Sequence, residues 1–366
     1  LKRISVAVTN DLIADNRVHR TCLTLAEAGY EVILTGRKYR DSPDMNPRAY
    51  EVHRMHLLFR RGPLFYAEYN FRMFFRLLFS RPSVILANDL DTLPGCMAAA
   101  LLTRTPVVYD SHEYFTEVPE LVSRPRVQKV WKWLEKILVP RVKAAYTVCD
   151  SIAEIYTGAY GIPFEVVRNL PFSANREPGG AGVQSAQGRP VIIYQGALNL
   201  GRGLENAIKA MEFLPEADLI LAGSGDRENE LKKLASRISS NNVFFKGRLP
   251  IEELVKVTRS ASLGISIEED CGLNYRYALP NKLFDYLQAG IPVVVSNLPE
   301  MKKIVEEYQA GLIARSNLPE KLAETFRKAL FDHELRKSWK PGILRAAGEL
   351  TWENEKGRLL KIFNQF

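Results

Sequence analysis

Short apolar runs rich in β-branched residues alternate with helical patterns along almost all of this 366-residue chain, and that alternation limits what it can fold into. Runs at 3–9, 31–35, 83–87, 106–110 and 144–148 read as short strands. Parallel strands need a crossover, usually a helix, so the pattern predicts a parallel sheet covered by helices on both sides. The segment 172–190, FSANREPGGAGVQSAQGRP, is polar and rich in Gly and Ser, and reads as a linker. The alternation then restarts, with strands expected at 191–195, 217–222, 243–245, 263–267, 292–296 and 311–314. The fold class is α/β: an N-terminal domain over 1–170, a linker over 171–190 and a C-terminal domain over 191–351, with a tail helical by pattern from Glu320.

The balance of 50 basic against 42 acidic residues favours anionic partners or an anionic surface, and says nothing about fold. Cys22, Cys96, Cys149 and Cys271 are scattered without metal spacing, which fits thiols in a reducing, cytoplasmic compartment. Leu1-Lys-Arg leads straight into the first strand, so no signal peptide is expected, and the missing initiator Met suggests a trimmed start. No apolar run reaches the length of a membrane span.

The most informative stretch is 264–300, GISIEEDCGLNYRYALPNKLFDYLQAGIPVVVSNLPE. It predicts a strand, a long loop, a helix starting at Pro280 and a second strand after Pro292. Leu283, Phe284 and Leu287 share one helix face, while Asn281, Asp285 and Gln288 share the other. A loop feeding a helix N-terminus beside a parallel sheet suits an anionic ligand.

The segment Asp285-Tyr-Leu-Gln-Ala-Gly-Ile-Pro-Val-Val resembles the donor site of GT-B glycosyltransferases of the retaining family 4 type. That resemblance implies two Rossmann-like domains facing a central cleft, with the helix at 352–366 crossing back onto the first domain. It implies a metal-independent enzyme without a cofactor, whose donor is a nucleotide diphosphate sugar. Asp285 would hold the ribose, and Pro280, Asn281, Lys282 and Leu283 would line the donor site. The family has Glu where this chain has Asp285, and commonly a second Glu where it has Tyr277. Gln195-Gly-Ala-Leu-Asn-Leu-Gly-Arg-Gly resembles the family's phosphate loop, with Gly196 at its start, Ala197 in place of an Arg and Arg202 in place of a Lys. Gly223 and Gly225 resemble its second glycine segment, and Arg248 falls beside the expected base-binding strand. Arg202 and Lys282 are then the cations for the departing diphosphate.

In the first half, His112 just past a strand resembles the family's active-site His, with Asp110 and Glu113 as candidates to orient it. A structural His bonded to backbone is the alternative. Asn16 follows the first strand loop on the acceptor side, where Asp15 is equally a plain helix cap. Asp89 and Asp91 suggest a metal pair at first sight, but capping of the next helix or contact with the acceptor is the favoured reading.

Two basic stretches are interleaved with aromatics. Residues 54–81 hold six Arg and eight Phe or Tyr against one acid, and residues 124–143 hold seven basic residues and two Trp against one acid. Either they pack in the core with Arg reaching outward, or they lie on an anionic membrane surface near a lipid-linked acceptor. No nucleic-acid motif accompanies them. The expected function is sugar transfer to an acceptor hydroxyl in cell-surface polysaccharide or glycolipid synthesis, by a cytoplasmic protein peripheral to the inner membrane face. The alternatives are a sugar-nucleotide epimerase of the same fold or a non-catalytic nucleotide-sugar binder.

Overall fold

The computed structural model describes residues 1–13, 15–173, 188–238 and 241–366. Most of the expected linker therefore lies outside the described residues. The chain divides into two units, Leu1–Asn169 with Glu355–Phe366, and Leu170–Asn354.

The first unit is built on seven strands: β1 (Arg3–Asp11), β2 (Glu31–Arg37), β3 (Glu51–Met55), β4 (Val84–Asn88), β5 (Val107–Ser111), β6 (Ala144–Thr147) and β7 (Phe164–Val166). They form one sheet in the order β3-β2-β1-β4-β5-β6-β7, and every pairing is parallel. The second unit has six: β8 (Val191–Gln195), β9 (Asp218–Ala222), β10 (Val243–Gly247), β11 (Leu263–Ser266), β12 (Val293–Ser296) and β13 (Gly311–Ala314). Their order is β10-β9-β8-β11-β12-β13, again parallel throughout.

Two strands were not expected from the sequence. Strand β3 is an edge strand whose EVHRM is polar and mostly not buried, and β7 is only three residues long. Edge and short strands carry weak apolar signals, because one flank pairs with nothing. The strands seen in the pattern are the central ones: β4, β5 and β8 are buried at every residue.

Each sheet reverses its strand order once, between β1 and β4 in the first unit and between β8 and β11 in the second. At such a reversal the flanking helices leave in opposite directions, and a crevice opens at the carboxyl ends of the strands. Both groups of candidate residues gather at these reversals. In the second unit the helix Asn281–Gln288 is seated by a close approach to β11. A Cβ on Gly264 would come within 2.3 Å of the Tyr286 ring, so only glycine lets that ring lie flat on the strand. The Tyr286 hydroxyl then donates to Ile265 O at 3.2 Å and accepts the Gln195 N–H at 3.0 Å.

Among the described residues no helix is long and apolar enough to cross a membrane. Cys22, Cys96 and Cys149 are buried thiols and Cys271 is exposed.

Candidate active site

The cluster in the second unit is organised by Glu268, two residues past β11 and fully buried. Its Oε1 accepts from Lys282 Nζ at 2.7 Å and lies 3.7 Å from Arg202 Nη1, while Oε2 accepts from Ser266 Oγ at 2.8 Å. Burial alone would raise the Glu268 pKa, but Lys282 and Arg202 outweigh it and hold the carboxyl below its usual range. Arg202 reaches this point because its loop folds tightly under it. Gly203 has φ +69°, and a Cβ there would stand 2.1 Å from Ile267 O. The guanidinium carbon lies 5.1 Å from the centre of the Tyr275 ring, and Lys282 Nζ lies 4.2 Å from that of Tyr194.

The exposed Gly196 borders Lys282: a Cβ there would lie 3.4 Å from Lys282 Cε. Gly196 N–H bonds to Ala222 O and Gly223 N–H to Gly247 O, so the turns after β8 and β9 lie side by side. Gly225 packs on Leu198 and Asn199 of the first of these turns. Asp285 accepts from Gln195 Nε2 at 2.7 Å, and Gln195 in turn accepts from Thr258 Oγ1 at 2.7 Å. The carboxylate is therefore held toward the end of β8. Arg248 is exposed immediately after β10.

One expectation here needs correction. Pro280 precedes the helix as its extended cap residue, with ψ 138°, and Asn281 is the first helical position. Leu283 lies on the apolar face that the spacing predicts, its side chain fully buried and its N–H bonded to Pro280 O at 3.1 Å. Glu268 and Gln195 were missed. The available signal was an acid run, Glu268-Glu-Asp, following an apolar strand without a break.

The cluster in the first unit centres on His112, the residue after β5. Its Nδ1 lies 3.1 Å from Asp89 Oδ2, and its Nε2 lies 3.2 Å from Asp110 Oδ2 and 3.2 Å from Asn88 Oδ1. Burial opposes a charge on this ring, but Asp89 and Asp110 override it and bring the pKa up to about 9. His112 is therefore an imidazolium at neutral pH. Asp110 is fully buried; burial would raise it, yet Arg17 and His112 hold it at about 2. Arg17 grips Asp110 with two bonds, Nε to Oδ2 at 3.1 Å and Nη2 to Oδ1 at 2.6 Å, and donates a third to Val167 O at 3.0 Å.

Asp89 and Asp91 do not cap the next helix. The cap position of Leu93–Thr103 is Thr92, with no side-chain cap bond. Asp89 adopts a left-handed conformation, φ 59°, which turns its carboxylate onto the His112 ring and backbone N–H. Asp91 is buried and accepts from Thr9 Oγ1 at 2.6 Å, so it supports the wall from behind. Burial and the neighbouring Asp89 raise its pKa to about 7. Asp15 does cap the helix Asn16–Glu27, accepting from Val18 N–H at 3.1 Å, and Asn16 is exposed on its first turn. Glu113 is exposed, and its carbonyl accepts from Ser111 Oγ. Arg17 was missed, although a charged residue among Val18, Thr21, Cys22 and Leu25 marks a buried ion pair on that helix face.

Two Rossmann-like domains with seven- and six-stranded parallel sheets make a GT-B architecture. The chain is similar over its whole length to sucrose-phosphate synthase from Thermosynechococcus elongatus, with a TM-score of 0.80, 15% identity, and 100% of this chain and 99% of that one covered. It is equally similar in extent to Anabaena HepE solved with UDP and glucose, with a TM-score of 0.75, 14% identity and 100% of both chains covered. At such identities the likeness concerns the fold. Residues 14–172 match the family model of the glycosyl transferase 4-like domain, and residues 181–343 match that of glycosyl transferases group 1. The chain belongs to the glycosyltransferases of this GT-B family. Similar proteins include an uncharacterized glycosyltransferase of Methanocaldococcus jannaschii, 24% identical over 48% of this chain and 45% of that one. They also include a GDP-mannose-dependent monoacylated alpha-(1-6)-phosphatidylinositol monomannoside mannosyltransferase of Corynebacterium glutamicum, 27% identical over 45% of this chain and 44% of that one. The matched region spans slightly less than half the length of these curated relatives.

Proposed function

We propose that this protein is a retaining, metal-independent transferase that moves a sugar from a nucleotide diphosphate sugar to an acceptor hydroxyl. The observation that carries this reading is the meeting of Arg202 and Lys282 on one carboxylate at the second sheet's reversal, with Asp285 held nearby by Gln195. In this reading Asp285 accepts from the ribose hydroxyls, Arg202 and Lys282 face the diphosphate, and Gly196, Gly223 and Gly225 shape the loops around it. Arg248 and Asn281 complete the donor side. The bond from the anomeric carbon to the diphosphate oxygen breaks, and its electron pair leaves with the diphosphate. The acceptor oxygen bonds to the same face of the sugar, and its proton goes to the departing diphosphate, the nearest base on that face. The protein's contribution is a fixed field aimed at charge that grows as the bond breaks. The first unit takes the acceptor and the transferred sugar, with His112 as a fixed positive charge toward that sugar and Asn16 and Glu113 on the acceptor side.

The acceptor is proposed to be lipid-linked, in polysaccharide or glycolipid synthesis at the inner membrane face. Two observations support this. Exposed aromatics flank exposed cations on the first unit. Similar proteins are described as acting on a phosphatidylinositol mannoside and, in Candida albicans, on chitobiosyldiphosphodolichol.

The test is release of nucleoside diphosphate from a panel of UDP- and GDP-sugars, without and with detergent-solubilised membrane lipids. A transferase hydrolyses one donor slowly alone and turns over faster with lipid acceptor. Interconversion of two donor sugars would assign an epimerase, and binding without release or conversion would assign a non-catalytic binder.

A further inference from the structure

Lys282 and Arg202 are brought together by a third residue that no resemblance identified. Glu268 is 0% exposed and Lys282 is 7% exposed, so neither charge is solvated enough to stand alone. A buried ammonium beside a guanidinium is unfavourable unless an anion lies between them. Glu268 is that anion. It is fixed on both sides, because Ser266 Oγ donates to its second carboxylate oxygen and Ser296 Oγ donates to its backbone carbonyl at 2.6 Å. These serines end β11 and β12, so the carboxylate is tied to two central strands rather than to a loop. The charge of the three groups is 2 − 1 = +1 with Glu268 ionised.

We propose that Glu268 is a positioning residue for the donor diphosphate: it gathers Lys282 and Arg202 at one oxygen so that both cations are in place for the phosphates in advance of binding. This rests on the assignment of the second unit as the nucleotide-sugar site. Lys282 gives one of its three N–H donors to Glu268, and Arg202 Nη1 approaches the same oxygen at 3.7 Å. Holding both cations before the ligand arrives removes the ordering cost from the binding step. A simple Coulomb argument gives the opposite sign, since a nearby anion repels phosphate. Geometry outweighs it here because Glu268 lies behind the cations and is already neutralised by them.

The experiment compares wild type, Glu268→Gln and Glu268→Asp by calorimetry with uridine, UMP and UDP, and with guanosine, GMP and GDP. Wild type should bind one diphosphate best. Glu268→Gln should lose at least tenfold in affinity for that diphosphate while nucleoside affinity changes less than twofold, and Glu268→Asp should recover part of the loss. With the cognate sugar donor, Glu268→Gln should lower kcat more than it raises KM. A merely structural role would weaken nucleoside and diphosphate alike and lower the melting temperature in proportion, which overturns the proposal. So does a Glu268→Gln variant that binds diphosphate as tightly as wild type or more tightly. If wild type binds no nucleotide at all, the assignment of the donor site fails instead, and that result is distinct from either.

Discussion

Asp89 holds His112 twice, through the ring nitrogen at 3.1 Å and through the backbone N–H at 2.9 Å, and can do so because its own backbone is left-handed. With Asp110 on the opposite ring nitrogen, the imidazole is clamped between two carboxylates. Such a ring cannot serve as a general base at neutral pH, since both nitrogens are already committed as donors. What it offers is a fixed positive charge.

The pH dependence follows with a definite sign. The pKa of His112 in the fold, about 9, lies above the usual histidine value. The stabilisation from its carboxylates is therefore complete below pH of about 6.5 and is lost as pH rises through about 9. Turnover that needs the imidazolium should fall along the same alkaline limb. Asp89→Asn removes one of the two carboxylates and should move that limb about one unit or more toward neutrality, with nucleoside diphosphate affinity nearly unchanged. A pH–rate profile of wild type and variant decides it; an alkaline limb that does not move would remove His112 from the chemistry.

Arg17 tests the foundation of that clamp. The Arg17–Asp110 pair is buried at 5% and 0% side-chain exposure, and removing the guanidinium leaves Asp110 with the His112 ring as its cation partner among the described residues. Breaking a buried pair by deleting one partner costs about 3–5 kcal/mol. Arg17→Met should lower unfolding free energy in urea by about that amount at pH 7. A loss below about 1 kcal/mol would mean that water or a rearranged side chain replaces the guanidinium.

Asp285→Ala should weaken binding of the cognate nucleoside diphosphate roughly ten- to hundredfold, the effect of losing about 1.5–3 kcal/mol of charge-assisted hydrogen bonding. Gln195→Ala leaves the carboxylate but removes its holder, so the loss should be smaller, on the order of threefold. Equal affinity for wild type and Asp285→Ala by calorimetry would sink the ribose assignment.

Much of this was readable before any coordinates, and the reason is specific. Strands buried on both faces announce themselves by apolar runs, which is why β4, β5, β8 and β12 fall where the pattern places them. The helix carrying Lys282 and Asp285 is marked by Pro280 and Gly290, whose effects are local. Residues Glu268, Arg17 and Gln195 left only weak marks in the sequence, for one shared reason. Their roles are set by partners 14 to 93 positions away, as in Lys282–Glu268 and Arg17–Asp110. Periodicity reports what a residue's neighbours in sequence do, and an ion pair across a sheet leaves no period. The capping reading of Asp89 failed likewise, because its partner His112 comes from the next strand's end.

The aromatic stretches resolve into a core half and an exposed half, and the exposed half yields the last prediction. On the helix Pro63–Ser80, Phe65, Tyr69, Met73 and Leu77 are buried, while Phe71, Phe75 and Phe79 form an outward stripe, with Phe71 65% and Phe79 79% exposed. Leu101 and Leu102 are exposed on the helix Leu93–Thr103, and Val127, Val130 and Trp133 on the helix Pro125–Leu138. These helices follow β3, β4 and β5, and each leads rightward along the strand order. Right-handed crossovers in one direction place all three on one face of the sheet. Exposed cations lie among them: Arg81, Arg104, Arg124, Arg126, Lys129 and Lys136. A second copy of this chain would oppose like charges across such a face, whereas an anionic bilayer matches both its charge and its apolar surface. Each cation near that surface contributes on the order of 1 kcal/mol, and salt screens it. The protein should co-sediment with phosphatidylglycerol vesicles, weakly with phosphatidylcholine, and less at high salt. Replacing Phe71, Phe75 and Phe79 together by Ser should reduce binding at least tenfold, with hydrolysis of soluble donor retained. Binding indifferent to lipid charge and to the triple substitution would reject the surface, and a dimer that the substitution dissolves would give it to a second copy instead.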